Sequence, residues 1–203
     1  MTNWDSLYQA GDAPWDKGTP APPLIDWLTR NDIKGRWLVP GCGRGHDART
    51  LAEEGASVVA LDLSPTAIEE ARNLQGSGGL QESQGIEWVV GDLFALPAEF
   101  DEAFDGVFEH TCFCAIPRDR RDDYVQAVYK ALKPGGELLA IFYLSPRDDP
   151  DPNLGPPFNA TIDELDARFD PYFILDFEET PAVAYPGRER RERLRLYRKR
   201  TVH

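Results

Sequence analysis

Short apolar runs alternate with helix-like segments along most of the chain, and the alternation predicts its elements. The predicted strands span 36–39, 57–61, 86–90, 104–109, 137–144, 171–179 and 191–200. The predicted helices span 22–31, 46–54, a segment that begins at Pro65, 119–132 and 161–168. Strands that alternate with helices and finish in a hairpin predict an α/β fold. We expect a three-layer, doubly wound, mostly parallel seven-stranded sheet with one antiparallel strand.

Turn and cap residues support these boundaries. Gly55 follows helix 46–54, where a C-terminal glycine belongs, and Ser64 is a suitable N-cap for the helix from Pro65. Lys133-Pro-Gly-Gly136 predicts a turn, and the five prolines in 145–158 predict a loop. We interpret residues 1–203 as one domain, in which residues 1–20 form an N-terminal cap.

The junction after the first predicted strand carries most of the chemical information. Trp37 to Val39 is followed by Gly41, Gly43 and Gly45 at alternate positions, and a helix begins at once. This order is typical of a strand, a tight turn and a helix N-terminus at which backbone approaches a ligand closely. The second strand ends at Asp62, where a carboxylate can accept both hydroxyls of a ribose. The first half therefore predicts a nucleoside-binding βαβ unit.

The glycine spacing helps to identify the nucleoside. A dinucleotide fingerprint places its third Gly or Ala where this chain has His46. After the third strand, Gly91-Asp92-Leu93 suits an adenine, with the carboxylate accepting from the amine and Leu93 packing on the ring. Two carboxylates and little basic charge favour S-adenosylmethionine, which has a sulfonium cation and no phosphates, over the pyrophosphate of NAD.

With these motifs in place, the chain resembles the class I S-adenosylmethionine-dependent methyltransferases, which have a Rossmann-like fold. It is most similar to the thiopurine S-methyltransferase superfamily, on the branch of the halide/thiol (thiocyanate) methyltransferases. The resemblance covers almost the whole chain. The motifs that carry it are Ala13-Pro-Trp15-Asp-Lys-Gly18, Val39-Pro-Gly-Cys-Gly-Arg-Gly-His-Asp47, Leu61-Asp-Leu-Ser64, Gly91-Asp-Leu-Phe94, Phe108-Glu-His-Thr-Cys-Phe-Cys-Ala-Ile116 and Leu132-Lys-Pro-Gly-Gly136.

Composition adds limits on compartment and partners. The net charge of −13 and the pI near 4.6 disfavour nucleic acid and anionic membrane as partners. No apolar run reaches the ~18 residues of a membrane span. Three cysteines, an odd number, argue against a disulfide framework and for the cytoplasm. We expect a monomer or weak homodimer that acts on a small-molecule or anionic acceptor.

The N-terminal aromatic residues have two interpretations. Trp4, Tyr8 and Trp15 lie in a segment without core periodicity, so they either staple it to the core or form a lid whose ring faces attract a sulfonium. The resemblance implies that these residues contact the cofactor. The predicted cofactor-binding set is completed by Gly41, Gly43, Asp62, Leu63, Asp92, Leu93 and Glu109.

His110 and Tyr143 are the candidate catalytic residues. His110 follows the strand 104–109 at the carboxyl edge of the sheet, where open α/β sheets bind ligands. It could accept a proton, position a ligand, or be an ordinary polar residue. Glu109 could shape the methionine end of the cofactor or cap a turn. The resemblance implies that Tyr143 lines the acceptor pocket, and the alternative is that Tyr143 is an ordinary aromatic residue of the core.

The cysteines and the basic C-terminal stretch received less functional weight. Cys112 and Cys114 are too close for an ordinary zinc pair, so they are interpreted as core or pocket-lining thiols, and no metal site is predicted. The alternating residues 193–196 predict a strand with one solvated face. We therefore interpret the basic stretch from Arg188 to Arg200 as surface charge, with a phosphate-binding patch as the alternative.

The sequence therefore predicts an S-adenosylmethionine-dependent methyltransferase of a small soft nucleophile: a thiol, thiocyanate, hydrosulfide or halide. In-line displacement needs position, orientation and a dry pocket more than a base. The rival hypotheses are a methyltransferase of another small molecule, a nicotinamide-dependent oxidoreductase, and a non-catalytic nucleoside-binding regulator.

Overall fold

Seven strands form a single sheet in the order β3-β2-β1-β4-β5-β7-β6 in the computed structural model, which describes residues 2–77, 85–149, 151 and 153–201. The strands are β1 (Arg36–Pro40), β2 (Ser57–Asp62), β3 (Ile86–Val90), β4 (Phe104–His110), β5 (Leu132–Tyr143), β6 (Phe173–Glu179) and β7 (Glu192–Lys199). The pairs among β1 to β5 are parallel, and β7 runs antiparallel to both β5 and β6. This confirms the predicted sheet with one antiparallel strand.

Helices cover both faces of the sheet, which confirms the three-layer prediction. The helices are α1 (Trp4–Gln9), α2 (Pro22–Leu28), α3 (His46–Glu53), α4 (Pro65–Ser77), α5 (Arg121–Ala131) and α6 (Ile162–Phe169). Adjacent residues of β1 show the layering, because Leu38 packs in the core with α5 and α6, whereas Trp37 and Val39 pack in the core with α2 and α3. No helix of the described residues is long and apolar enough to cross a bilayer.

The helix boundaries differ from the predicted ones by a few residues. α2 ends at Leu28, where Thr29 caps it and the Asn31 side chain donates to the Trp27 carbonyl, so Asn31 ends the helix instead of extending it. α5 begins two residues later than predicted because a 3₁₀ turn, Arg118–Arg120, precedes it. Ser64 caps α4 as predicted, since its Oγ accepts from the Ala67 amide.

The turn at Lys133–Gly136 lies inside β5. The pairing with β4 passes from Leu132 opposite Phe104 to Glu137 opposite Gly106, so the four residues between them protrude from the ladder. Gly135 has a φ of +75°, which glycine adopts without the steric cost of a Cβ. The predicted strand 137–144 is therefore the regularly paired part of a longer element.

The N-terminal segment contains a short helix that the sequence did not predict. Asn3 caps α1, and one oxygen of Asp5 accepts from the Ser64 hydroxyl and the Thr66 amide at the start of α4. Tyr8, on the same helix, packs with Ala67 of α4. A six-residue helix is too short to show periodicity, so only these long-range contacts define it.

Candidate active site

A cavity of about 590 Å³ lies at the carboxyl ends of the parallel strands, the edge at which open α/β sheets bind ligands. Its walls come from the strand ends, the N-terminal segment, the proline-rich loop after β5 and the loop before β7. Nine predicted site residues line it: Trp4, Tyr8, Trp15, Gly41, Asp62, Leu63, Asp92, Leu93 and Tyr143. Gly43, Glu109 and His110 lie outside its lining. The volume is within the range of small-molecule sites.

The glycine turn between β1 and α3 is required as much by protein neighbours as by a ligand. Gly43 has a φ of +53°, and a Cβ there would lie 2.7 Å from the Tyr8 hydroxyl oxygen. Gly45 has a φ of +72°, and a Cβ there would lie 2.2 Å from the Trp88 ring. Both positions therefore need glycine for conformation and for space. Gly41 alone among the three lines the cavity.

Asp62 joins the end of β2 to this turn. Its side chain accepts from the Gly43 amide at 2.8 Å and from the Ser64 amide at 2.9 Å. The residue is 8% exposed, and burial raises the pKa of its carboxyl group. Each carboxylate oxygen has a second acceptor position. Asp62 can therefore brace the turn and also accept from a ligand in the cavity.

Asp92 and Leu93 form the corresponding corner after β3. Asp92 is exposed, and its Oδ1 accepts from the Phe94 amide at 2.9 Å, which caps the 3₁₀ turn Leu93–Ala95. Leu93 is buried, whereas Leu63 across the cavity is half exposed. A carboxylate beside two leucines can accept from an exocyclic amine while the leucines pack on its ring.

The N-terminal aromatic residues pack on one another and on the cavity. Trp15 Nε1 donates to the Tyr8 hydroxyl at 2.9 Å, and the Trp4 and Trp15 rings meet edge to face with centroids 5.4 Å apart. All three line the cavity wall. The rings therefore hold the segment together and also line the cavity, and their contact with a cofactor stays a prediction.

Ion pairs attach this segment to the glycine turn. Asp16 accepts from Arg44 at 2.6 Å and lies 3.2 Å from His46 Nε2, while Arg44 also donates to Glu70 of α4. Burial would raise the pKa of Asp16, but hydrogen bonds from His46, the Gly18 amide and Arg44 outweigh it and lower that pKa. The sequence analysis missed this attachment, since its partners are 26 or more positions apart.

His110 lies at the end of β4 and faces a second, smaller cavity of about 60 Å³. Its Nδ1 is 3.0 Å from Asp47, and its Nε2 is 3.2 Å from Arg188 and 3.6 Å from Glu192. Burial would lower the pKa of His110, but the two carboxylates outweigh it and raise this pKa to about 9. An imidazole that is already protonated at neutral pH cannot accept a proton.

Glu109, the residue before His110, supports a turn from behind the cavity. It is fully buried, accepts from the Phe113 amide at 2.9 Å and is hydrogen-bonded by the Tyr124 hydroxyl. Burial raises the pKa of its carboxyl group. Of the two roles considered for Glu109, this geometry matches the capping of a turn.

Tyr143 shares its part of the cavity with Arg188, which the sequence analysis assigned to surface charge. Arg188 is 5% exposed, and its guanidinium carbon lies 4.6 Å from the Tyr143 ring centroid and 5.2 Å from that of Tyr185. Cys112 and Cys114 also line this end, and burial raises the pKa of both thiols. A cation between two aromatic rings, beside neutral thiols, can attract and orient an anion.

Comparisons with known proteins show which family the chain is similar to. The family model for thiopurine S-methyltransferase (TPMT) matches residues 1–197. Thiocyanate methyltransferase 1 of Brassica oleracea is 32% identical over 97% of this chain and 84% of its own length. Probable thiol methyltransferase 2 of Arabidopsis thaliana is 34% identical over 89% of this chain and 75% of its own length. A structure solved in work on the conversion of a disulfide bond into a thioacetal group during echinomycin biosynthesis has a TM-score of 0.78 and 25% identity, covering 97% of this chain and 90% of its own.

Proposed function

Because the chain belongs to the thiopurine S-methyltransferase family, we propose that its methyl acceptor is a small soft anion that binds beside Arg188. The protein is an S-adenosyl-L-methionine-dependent methyltransferase of small nucleophiles. Thiocyanate, hydrosulfide and organic thiolates are the acceptor class that the relatives' names and the cavity together support. The observation that carries this choice is the buried guanidinium in the cavity wall.

The residues of the cavity fit S-adenosylmethionine. Asp62 would accept from the ribose hydroxyls, Asp92 from the adenine amine, and Leu63 and Leu93 would pack on the base. The ring faces of the N-terminal aromatic residues suit a sulfonium cation. When bound, this cofactor supplies a methyl carbon that is activated for in-line displacement by its sulfonium.

The acceptor end supplies charge and orientation without a free base. His110 is held by a carboxylate on one side and by Arg188 and Glu192 on the other, so it is not available to remove a proton. Cys112 and Cys114 are neutral because burial raises the pKa of each thiol. The acceptor must therefore arrive as the nucleophile itself, which a soft anion does.

Arg188 would hold that anion against Tyr143. Among the described residues, the one hydrogen bond of the Arg188 side chain runs from Nη1 to Glu192, and the same Nη1 lies 3.2 Å from His110 Nε2. The Nε and Nη2 of Arg188 therefore remain for a ligand, and a guanidinium is a planar donor suited to polarisable anions. Four prolines line this end: Pro146, Pro156, Pro157 and Pro186. Their apolar rings would limit water around a bound anion, which would strengthen the attraction between the charges.

The test uses labelled S-adenosylmethionine with thiocyanate, hydrosulfide, iodide, a small aromatic thiol and a phenol. We expect transfer to thiocyanate, hydrosulfide and the thiol, and much slower transfer to the phenol, which is mostly protonated at neutral pH. Arg188→Met should raise the KM for thiocyanate by roughly tenfold or more, with S-adenosylhomocysteine affinity unchanged. Transfer to the phenol alone would indicate a methyltransferase of another small molecule. Binding of S-adenosylhomocysteine without any transfer would support a nucleoside-binding regulator.

A further inference from the structure

Four ionisable groups from three segments of the chain meet behind the acceptor end of the cavity, and two of them, Arg188 and Glu192, are buried. Asp47 lies 3.0 Å from His110, and His110 lies 3.2 Å from Arg188 Nη1. Glu192 Oε1 lies 3.3 Å from the same Nη1 and 3.6 Å from His110 Nε2. Asp47 comes from the first turn of α3, His110 ends β4, and Arg188 precedes β7, which Glu192 begins.

The antiparallel register explains how Glu192 reaches this place. Glu192 pairs with Tyr143 across β5 and β7, and Arg188, four residues earlier, lies back over the Tyr143 ring. Glu192 is only 2% exposed and is absent from the lining of the cavity. It therefore reaches a ligand only through Arg188.

The charges require an anion at this position. A protonated His110 and Arg188 bring two cationic nitrogens to 3.2 Å, and at that separation they repel each other unless a carboxylate is shared between them. Glu192 Oε1 is that shared oxygen. Its Oε2 is buried without a hydrogen-bonding partner among the described residues, which costs stability.

We propose that Glu192 is a positioning residue for the methyl acceptor. Glu192 accepts a hydrogen bond from Arg188 Nη1, which leaves Arg188 Nε and Nη2 for the anion. The inference rests on the proposed function of Arg188 as the acceptor's cation. Orientation depends on the hydrogen bond that Glu192 accepts, whereas its negative charge weakens the attraction of Arg188 for an anion. These two effects have opposite signs, so substitutions can separate them.

Two variants at this position test the proposal against the full-length wild-type enzyme. Glu192→Gln keeps an acceptor for Arg188 and removes the charge, so the KM for thiocyanate should be at or below the wild-type value. Glu192→Leu removes both, so this KM should rise by about tenfold. S-adenosylhomocysteine affinity should stay within about twofold in both variants, because Glu192 is remote from Asp62 and Asp92. Glu178→Gln is the matched control, since Glu178 pairs with the buried Arg195 of β7 away from the cavity.

A second measurement uses the ligand-free protein and needs no turnover. The chain has three histidines, so NMR can follow His110 in the presence of only two others. Asp47, Glu192 and Arg188 are the charged groups around it, and Glu192→Gln removes one of its two carboxylates. The pH midpoint of the His110 titration should therefore fall by about one pH unit or more in Glu192→Gln. Glu178→Gln should leave this midpoint unchanged.

Several outcomes would overturn the proposal. If Arg188→Met raises the KM for thiocyanate and Glu192→Leu does not, Glu192 has no positioning role. Equal rises in both Glu192 variants would reject the hydrogen bond as the cause. If Glu192→Leu fails to fold, an unchanged His110 midpoint in Glu192→Gln decides against the contact in solution. If Arg188→Met itself leaves this KM unchanged, the proposed acceptor site fails instead.

Discussion

The two ends of the cavity are built in different ways. The cofactor end is the part of the cavity around Asp62 and Asp92, where we propose that the cofactor binds. There, Asp92 accepts from the backbone amide two residues later in the chain. Asp62 likewise accepts from the amide two residues later, and also from an amide of the glycine turn. At the acceptor end, His110, Arg188 and Glu192 are held by other charged side chains from distant parts of the chain. Where each side chain contacts only backbone, substituting one residue has little effect on the others. In a cluster of charged side chains that contact one another, substituting one residue affects all of them.

This difference predicts where substitutions have local effects and where they have coupled ones. A change at the cofactor end should alter cofactor affinity in proportion to the contacts that are lost. A change at the acceptor end should alter the charge state and orientation of several groups together. The following predictions test this contrast in order of decreasing effect.

Asp62→Ala should have the largest effect, because it removes a ligand contact and the brace of the glycine turn together. We expect S-adenosylhomocysteine affinity to fall by about 3 kcal/mol, roughly a hundredfold, as measured by calorimetry. Asp62→Asn should lose nearly as much, since an amide cannot accept from the ligand and from both backbone amides in the same way. An affinity within about threefold of wild type in Asp62→Ala would reject the ribose assignment.

His110 should make stability depend on pH. Its folded pKa of about 9 exceeds its unfolded value, so its contribution is fully present below about pH 6.5 and is lost as pH rises toward 9. The contribution should be up to about 3 kcal/mol. The free energy of unfolding, measured with urea, should therefore differ between wild type and His110→Gln by an amount that decreases from pH 6 to pH 8.5.

The informative quantity in this experiment is the difference in unfolding free energy between wild type and His110→Gln at each pH. Burial also raises the pKa of Cys42, Cys112 and Cys114, so these thiols reduce the stability of both proteins as pH approaches the alkaline range. Subtracting the two curves removes that shared effect. A difference that stays constant from pH 6 to 8.5 would show that folding does not shift the pKa of His110, and one that grows with pH would show that His110 is neutral in the folded protein.

The cofactor end was largely predictable because its signals are local. Gly41, Asp62, Asp92 and Leu93 follow strands directly, and the carboxyl ends of parallel strands meet at one edge of the sheet. Periodicity therefore located both the strands and the residues that come after them. The role of Gly45 was different from the expected one, since its missing Cβ makes room for Trp88.

The acceptor end could not be derived in the same way. The alternation at residues 193–196 correctly predicted β7, but Arg188 lies before that strand, in a loop that turns back over Tyr143. No spacing in the sequence relates Arg188 to His110, which is 78 positions earlier. Only the order of strands β4, β5 and β7 brings them together, and charge alone does not distinguish Arg188 from the arginines that follow it.

The attachment of the N-terminal segment should have an intermediate effect. Asp16→Asn weakens the link to Arg44 and His46, so the free protein should be cleaved within roughly the first twenty residues about fivefold faster, the equivalent of ~1 kcal/mol. Asp12→Asn, an exposed aspartate of the same segment, is the control. S-adenosylhomocysteine should suppress cleavage of the wild type if the aromatic residues close over it. Equal cleavage with and without this ligand would leave them as structural staples.

Asp92→Ala should have the smallest effect, although it removes the second carboxylate of the cofactor end. Asp92 is exposed, so water competes for its hydrogen bonds, and among the described residues its side chain makes one hydrogen bond, which caps a single turn. We expect a loss of about 0.5 kcal/mol in S-adenosylhomocysteine affinity, and less in Asp92→Asn, which retains an acceptor. The thiocyanate KM should not change, because Arg188, His110 and Glu192 share no hydrogen bond or ion pair with Asp92 among the described residues. A loss as large as that of Asp62→Ala would mean that ligand binding buries Asp92, and a changed thiocyanate KM would mean that the two ends are coupled.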